Sequence, residues 1–360
     1  MDGANDIIAD AFTLHGLDLL RVEAGQRRAV IELLRELEGD LVAQLARIDP
    51  AGGVRPTTRA ARLEKLLAQV RDTIKAAYRS SSQRLLGELA ELAEIEDAFA
   101  AKVLNDATGL QLATAVLTRA QAVALTGSVL VQGAPVAEWW SRQAGDTLQR
   151  FTDAMRLGIA QGDTTAQLIQ RVRGGVRQGE TVVGLMQISR RHAESLVRSA
   201  TQAVAEAAKQ ATYEANADLI KAVVWTSTLD LRTTVQCQVR DGRRYEPVTH
   251  KPIGHAIPWG AGPGNLHFGC RSSSRPETKS WRELGFDIED LPPGTRASMN
   301  GQVAADLSFE DWLARRSQAE QDDALGAGRA ELWRSGRISF RDLLDANGRE
   351  LTLAELRARI

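Results

Sequence analysis

Both cysteines of the chain and three of its five histidines lie between positions 237 and 270. Thiolate sulfur and neutral imidazole are preferred ligands of tetrahedral zinc. Cys237 and the His-x-x-Cys pair His267/Cys270 therefore supply three candidate ligands, and either His250 or His255 could supply the fourth. The segment between them is rich in proline and glycine and has little core of its own, so a bound metal ion would stabilise it.

The same residues allow other interpretations. The two thiols could touch or form a disulfide, or the whole set could be ordinary packing and hydrogen bonding. Position 234 is Thr, so the Cys-x-x-Cys knuckle of a standard structural zinc site is absent. The run "GNLHFGCRSSSRPETK" superficially resembles the end of an HNH nuclease motif, in which His250 or His255 would activate water beside a metal ion. The His-His or Asp-His pair that opens such a motif is missing, and these alternatives stay open.

The elements that must position these side chains begin near Lys221, where the hydrophobic period changes. The β-branched and aromatic residues of "KAVVWTST" predict a strand. The Asp-Gly pair in "RDGRRYEPV" predicts a turn followed by a second short strand. The Pro- and Gly-rich segment 250–266 predicts a long irregular loop. We therefore expect a small β-containing Cys/His module over 221–276.

Long helices are predicted before this module. Apolar residues at three- and four-residue steps predict a helix over 14–48, and a second helix that Thr57 or Thr58 caps after "DPAGGVRP". Later signals predict a helix from near Pro135 and another capped by Asp163 or Thr164. A Gly-containing linker over 174–184 then precedes a helix over about 189–216.

The expected fold class is mainly α with a small α+β module. The C-terminal tail is predicted to hold short helices over 279–286, 308–334 and 338–345, and a last helix capped by Thr352. The predicted segments are a long-helix arm or bundle over 1–110, a helical body over 111–220, the module over 221–276 and a helical extension over 277–360.

Composition and charge limit the function classes. The net charge of −1 provides no global positive field for nucleic acid or an anionic membrane. Two cysteines cannot build the disulfide framework of a secreted domain, and "MDGANDIIADAF" lacks the basic start of a signal peptide. No apolar run approaches the roughly 20 residues that span a bilayer. We expect a soluble protein made in a cytoplasm, with no membrane partner and no nucleotide-binding loop.

Local basic residues are the candidates for DNA contact, because arginine clusters neutralise phosphates. Helical arginines that face water are the alternative. The four candidates are Arg190, Arg191, Arg243 and Arg244.

The run "WTSTLDLRTTVQCQVRDGRRY", a Pro-rich loop and "HFGCRSSSRP" together resemble the head-morphogenesis domain of tailed-phage minor head proteins, the Mu F-like family. The resemblance covers roughly 150–360 and is strong over 225–276 and in the C-terminal tail, which resembles the extension seen in many such proteins. Thr234 and Ser272 depart from it, since relatives often have Cys at both positions, and this weakens a four-cysteine zinc site. The residues at the expected spacing are Trp225, Thr228, Asp230, Arg232, Thr233, Cys237, Asp241, Gly242, His267, Cys270, Arg271 and Pro276.

The resemblance implies a non-enzymatic virion protein that acts in head morphogenesis. It implies a place at the portal vertex or head interior, and in the host cytoplasm during assembly. The implied partners are the portal protein, major capsid or scaffold proteins, and packaged double-stranded DNA. No cofactor is expected, with structural zinc as an alternative. The alternative function is a metal-dependent HNH-like nuclease or toxin-like effector built on the same module.

The resemblance also implies a structural framework for the module. An Asp230/Arg232 pair and an Asp241-Gly242 turn would fix the small β-structure on the helical body. The framework residues are Trp225, Thr228, Asp230, Arg232, Asp241, Gly242 and Arg271.

Overall fold

The computed structural model shows a mainly helical protein with small antiparallel sheets, as the sequence predicts. The residues that the structure describes are 3–49, 54, 56–177, 180–280, 283–284, 295–298, 301–304 and 307–360. The chain divides into two compact units. Unit 1 contains Met1–Leu20, Glu91–Leu125 and Gln202–Ile360, and unit 2 contains Arg21–Ala90 and Thr126–Thr201. The predicted division into the segments 1–110, 111–220, 221–276 and 277–360 remains a prediction.

Three long helices contribute residues to both units. They are α1 (Ala4–Ala46), α2 (Pro56–Thr108) and α6 (Leu185–Ala215). None of the helices in the described ranges combines the length and the apolarity that a bilayer crossing needs.

Two predicted helix starts are wrong. Helix α1 begins about ten residues earlier than the predicted position 14, because Ile8 and Phe12 are buried against Val103 and Tyr213 in unit 1. Helix α2 begins at Pro56, so Thr57 and Thr58 lie inside the helix instead of capping it. Proline suits the first helical position, where its fixed φ is already helical and its missing N–H costs no hydrogen bond.

Unit 2 adds two helices, part of a third helix and two hairpins to its parts of the long helices. These elements are α3 (Arg119–Ser128, shared with unit 1), β1 (Leu130–Val131), β2 (Ala134–Pro135), α4 (Val136–Ala160), α5 (Thr165–Arg173), β3 (Gly174–Arg177) and β4 (Glu180–Val183). Gln132 and Gly133 both have positive φ and form the two-residue turn between β1 and β2. The Thr164 hydroxyl caps α5, as predicted.

The segment 174–184, predicted as a linker, is mostly the hairpin β3–β4. Its base is a close backbone approach, since a Cβ added to Gly184 would lie 2.2 Å from the Gly174 nitrogen. Two glycines therefore allow a contact that no other residue would permit.

Unit 1 is built on a four-stranded antiparallel sheet with the order β7–β6–β5–β8. The strands are β5 (Ile220–Thr226), β6 (Arg244–Tyr245), β7 (Pro252–Ile253) and β8 (Ser273–Thr278). The predicted strand at "KAVVWTST" is confirmed as β5, and the second short strand as β6. Strand β8 is not predicted and carries Pro276, which an edge strand tolerates because one side of its backbone needs no ladder partner.

The tail of unit 1 forms a compact set of short helices. They are α8 (Phe309–Ala314), α9 (Gln318–Leu325), α10 (Ala327–Arg334), a 3-10 turn (Phe340–Leu343) and α11 (Leu353–Arg357), and a hairpin pairs β9 (Thr295–Ser298) with β10 (Gly301–Ala304). The module itself contains the short helix α7 (Val235–Arg240). Ser317 and Gly326 divide the predicted segment 308–334 into three helices. Thr352 caps α11 as predicted, and half of the predicted helix 279–286 lies outside the described residues.

One apolar cluster joins the module to the tail. Leu229, Val235 and Ile257 of the module share a buried cluster with Phe309 and Trp312 of α8. The tail is therefore part of the same folded body as the module that contains the Cys/His residues.

Candidate functional site

Three of the five predicted metal ligands come together. The Sγ atoms of Cys237 and Cys270 lie 3.7 Å apart, and His267 Nε2 lies 3.4 Å from Cys237 Sγ. One ligand atom from each of the three residues falls within 4.8 Å of the others. Both cysteines are buried as free thiols, so the predicted contact between them is present without a disulfide.

Two local structures place these side chains. Cys237 lies in the first turn of α7, where its backbone N–H donates to the Thr234 carbonyl at 2.9 Å. Cys270 ends a tight turn in which its N–H donates to the His267 carbonyl at 3.1 Å. Gly269 adopts φ +68° within that turn, a conformation that glycine takes without strain. One helix start and one turn thus bring together residues about 30 positions apart.

The pKa values within the cluster are strongly displaced. Hydrogen bonding from Cys237, and further from His267, lowers the pKa of Cys270 to about 4. Hydrogen bonding to Cys270 and burial raise the pKa of Cys237 well above its ordinary value. The hydrogen bond to Cys270 also raises the pKa of His267. The pKa shifts of the two cysteines have opposite directions, and both arise mainly from the hydrogen bond between their side chains.

The other two predicted histidines do not join the cluster. His255 Nε2 donates to the Arg244 carbonyl at 2.9 Å, and its Nδ1 accepts the Ile257 N–H at 3.2 Å. His250 stacks on Trp259 with ring centroids 4.6 Å apart. Burial lowers the pKa of both imidazoles. Neither His250 nor His255 is therefore positioned as the fourth ligand predicted from the sequence.

The framework residue Asp230 pairs with Arg271 and not with the Arg232 side chain. The Arg271 guanidinium donates to both carboxylate oxygens, at 2.5 and 2.7 Å. Arg232 contributes only its backbone N–H to Asp230, at 3.0 Å. Burial raises the pKa of Asp230, the bonds and charge of Arg271 lower it, and the net shift is downward. The Thr228 hydroxyl donates to the Arg271 carbonyl at 3.3 Å, which ties the same two segments together.

The Asp241-Gly242 turn holds the end of β5 and the start of α8. One oxygen of Asp241 accepts the Ser227 N–H at 2.7 Å, and the other accepts the Phe309 N–H at 2.9 Å. Gly242 has φ +72°, and its N–H donates to the Trp225 carbonyl at 2.9 Å. The fully buried Trp225 ring lies in the small cluster that also contains both cysteines.

Sequence reasoning missed the buried pair Glu206 and Lys209. Glu206 accepts the Ser273 hydroxyl at 2.7 Å and the Ser274 N–H and hydroxyl at 3.0 and 2.6 Å. Lys209 forms an ion pair with Glu206 and donates to the Ser273 hydroxyl at 2.7 Å. The available signal was a Glu and a Lys three residues apart among the alanines and valines of α6, where solvent-facing charges are not expected.

The four candidate DNA-contacting arginines differ in their surroundings. Arg190 and Arg244 form ion pairs with glutamates of the same chain. Arg243 is half-buried and donates to a backbone carbonyl of α7 at 3.4 Å. Arg191 is exposed on α6. Arg191 is therefore the most exposed of the four candidates.

These features define a mainly helical chain with a small antiparallel sheet and, on the neighbouring helix α7 and the 267–270 turn, a Cys/His cluster with two buried cysteines. Residues 149–275, from α4 to β8, match the family model described as "Phage Mu protein F like protein". The chain therefore contains a Mu F-like domain, and the resemblance seen in the sequence is confirmed for this segment. No curated protein matches the chain. No solved structure matches it either.

Proposed function

We propose that this chain is a phage minor head protein that acts in head morphogenesis at the portal vertex. The observation that carries the proposal is the Mu F-like match over 149–275. The described residues are consistent with a structural role, because the carboxylates of Asp230, Asp241 and Glu206 all accept hydrogen bonds from groups of the same chain. We propose that the protein is not an enzyme and that it resides in the virion.

Co-expression with the portal protein encoded by the same genome tests this proposal. Size-exclusion chromatography with light scattering should give a co-eluting complex of fixed stoichiometry. A chain that is folded and monodisperse alone, and that never co-elutes with the portal, would contradict the portal role. Repeating the experiment with the major capsid and scaffold proteins would then separate a portal contact from a contact elsewhere in the head.

Exposed aliphatic side chains on α1 are the first residues to vary in that experiment. Ile7, Leu14 and Leu17 are 38, 64 and 49% exposed, and steps of seven and three residues place them on one side of the helix. Aligned exposed aliphatic residues are typical of protein-binding surfaces. The double variant Leu14→Ser/Leu17→Ser should weaken co-elution, whereas Leu157→Ser is a matched control on α4 with 51% exposure. If both variants co-elute with the portal protein to the same extent, the exposed residues of α1 are not part of the contact.

Contact with packaged double-stranded DNA is the second part of the proposal. Phosphate contacts release counterions, so binding weakens with salt by about 0.9 logarithmic units of slope per contact. Arg191→Gln should reduce this slope by about one, as measured by fluorescence anisotropy with a DNA duplex. Arg190→Gln is the matched control, because the Arg190 guanidinium is paired with Glu38. Binding that does not respond to salt would contradict a phosphate contact.

The nuclease or toxin-like alternative predicts different chemistry. Plasmid nicking that requires a divalent metal and is lost on replacing His255 or His267 would favour it. Within the described residues, both ring nitrogens of His255 are already bonded to the backbone. No observation on this part of the chain favours a histidine base, so the structural role remains our proposal.

A further inference from the structure

We propose that Cys237, His267 and Cys270 form a binding site for a soft divalent metal ion, zinc above all, with an exchangeable fourth position beside Thr234. This inference is independent of the proposed head function, because it depends only on the ligand atoms of this cluster.

The distances between the ligand atoms fit a tetrahedral ion. With Zn–S near 2.3 Å and Zn–N near 2.0–2.1 Å, two sulfurs around one ion lie about 3.8 Å apart and a sulfur and a nitrogen about 3.6 Å apart. The observed separations are 3.7 Å for Cys237 Sγ to Cys270 Sγ and 3.4 Å for Cys237 Sγ to His267 Nε2. A disulfide would need sulfurs about 2.0 Å apart. The cluster is therefore spaced for an ion and not for a covalent bond between the thiols.

The orientation of His267 also suits a metal ligand. Its Nδ1 lies 3.0 Å from the Phe268 carbonyl oxygen, so Nδ1–H is the donor of that bond. The bond fixes the tautomer in which Nε2 carries the lone pair, and Nε2 is the atom that faces the cysteines. Metal-bound histidines commonly donate their second nitrogen to a backbone carbonyl in this way.

Thr234 marks the fourth position. Its hydroxyl lies 3.0 Å from His267 Nε2, and it stands three residues before Cys237, where a Cys-x-x-Cys knuckle would supply a sulfur. A neutral threonine hydroxyl is a weaker zinc ligand than a thiolate. Thr234 is exposed while both cysteines are buried, so water can reach the fourth position. The site therefore holds its ion with three protein ligands.

Cobalt substitution provides the direct test. The full-length chain, purified under reducing conditions and stripped with a chelator, is titrated with Co²⁺ alone. The expected result is a 1:1 complex with sulfur-to-cobalt charge-transfer absorption and the intense visible bands of tetrahedral cobalt. Zinc affinity then follows from competition with a chromogenic chelator. Wild-type protein that shows neither charge-transfer absorption nor zinc retention would overturn the proposal.

Variants assign the ligands. Cys237→Ser, Cys270→Ser and His267→Gln should each weaken zinc binding by at least about 100-fold, whereas the control variants His250→Gln and His255→Gln should bind like wild type. Loss of binding in the controls to the same extent would overturn the assignment.

A variant that adds a ligand tests the site even if the variants that remove a ligand fail to fold. Thr234→Cys should add a third sulfur, increase the charge-transfer absorption and tighten zinc binding. An unchanged cobalt spectrum in Thr234→Cys would overturn the proposed fourth position.

Discussion

Replacing Asp241 by asparagine should loosen the attachment of α8 to the module. Asp241 is 6% exposed, and each of its carboxylate oxygens accepts one backbone N–H, from Ser227 at 2.7 Å and from Phe309 at 2.9 Å. Asparagine has nearly the same size but only one acceptor oxygen, so its amide nitrogen would face the other N–H. One backbone donor is then left without a partner in a buried place.

The magnitude follows from the lost acceptor. A hydrogen bond to a charged group contributes about 1.5–3 kcal/mol, and a buried donor without a partner costs about 1–3 kcal/mol. We therefore expect the free energy of local opening at α8 to fall by about 2–3 kcal/mol. Since about 1.4 kcal/mol corresponds to a factor of ten, α8 should open roughly 30 to 140 times more often.

Amide hydrogen exchange measured by mass spectrometry checks this expectation. Peptides that cover 307–314 should exchange faster in Asp241→Asn by that factor, while peptides from α4 should not change. Asp322→Asn is the control, because Asp322 is partly exposed and its 2.8 Å pair with Arg334 lies near the surface, where such pairs are worth less than about 1 kcal/mol. An Asp241→Asn exchange profile that matches this control would contradict a role of Asp241 in holding α8.

Backbone crowding and tyrosine burial give further measurable effects. Gly264→Ala should lower the free energy of unfolding in urea by about 1–3 kcal/mol more than Gly254→Ala. Both glycines have positive φ, but of the two only Gly264 would bring the added Cβ against a backbone oxygen of α6, at 2.9 Å. Tyr78→Phe should cost about 1 kcal/mol more than Tyr245→Phe in thermal unfolding, because the Tyr78 hydroxyl bonds to Thr147 at 2.8 Å and the Tyr245 hydroxyl is buried without a hydrogen-bond partner among the described residues. An equal loss of stability in the two variants would contradict a stabilising hydrogen bond at the Tyr78 hydroxyl. Burial raises the pKa of Tyr245 to about 12. The stability that this shift contributes is present below the unfolded-state pKa near 10 and should be lost as the pH rises through 12. The free energy of unfolding should therefore fall less steeply with pH in Tyr245→Phe.

Elements with a local signal could be predicted from the sequence. The Thr164 hydroxyl and the Gln167 side chain form a reciprocal capping box at the start of α5, and that signal lies within four residues. Strand β5 follows from its own β-branched and aromatic residues. In both elements the stabilising groups are neighbours in the chain, so the pattern is visible without the fold.

Elements that depend on distant contacts could not be predicted. Strand β8, "SSRPET", has weak strand propensity and contains proline, yet it pairs with β5 along its length. Glu206, 68 residues earlier, accepts the Ser274 N–H and hydroxyl and so fixes this strand on α6. The hairpin β3–β4 likewise depends on the approach of Gly174 to Gly184. The partners of β8 lie far from it in the chain, so its local sequence does not predict a strand.

The candidate site was predictable in composition but not in geometry. The sequence offers three histidines near the cysteines, and only the path of the loop selects among them. His250 is held by stacking on Trp259 and His255 by the Arg244 carbonyl. Similarly, the sequence suggested Arg232 as the partner of Asp230, whereas the structure brings Arg271 from 41 residues away. Which charges pair is a property of the fold.

The module depends on polar bridges because its own apolar cluster is small. That cluster contains Trp225, Cys237, Tyr245 and Cys270, with Trp259 and Leu266 packed against it. Three carboxylates bridge the surrounding segments: Glu206 joins α6 to β8, Asp230 joins the loop after β5 to Arg271, and Asp241 joins the end of β5 to α8. None of these bridges uses a sulfur atom or the residue at position 234. The contacts that fix the sheet to its neighbours therefore do not depend on whether position 234 is a threonine or a cysteine.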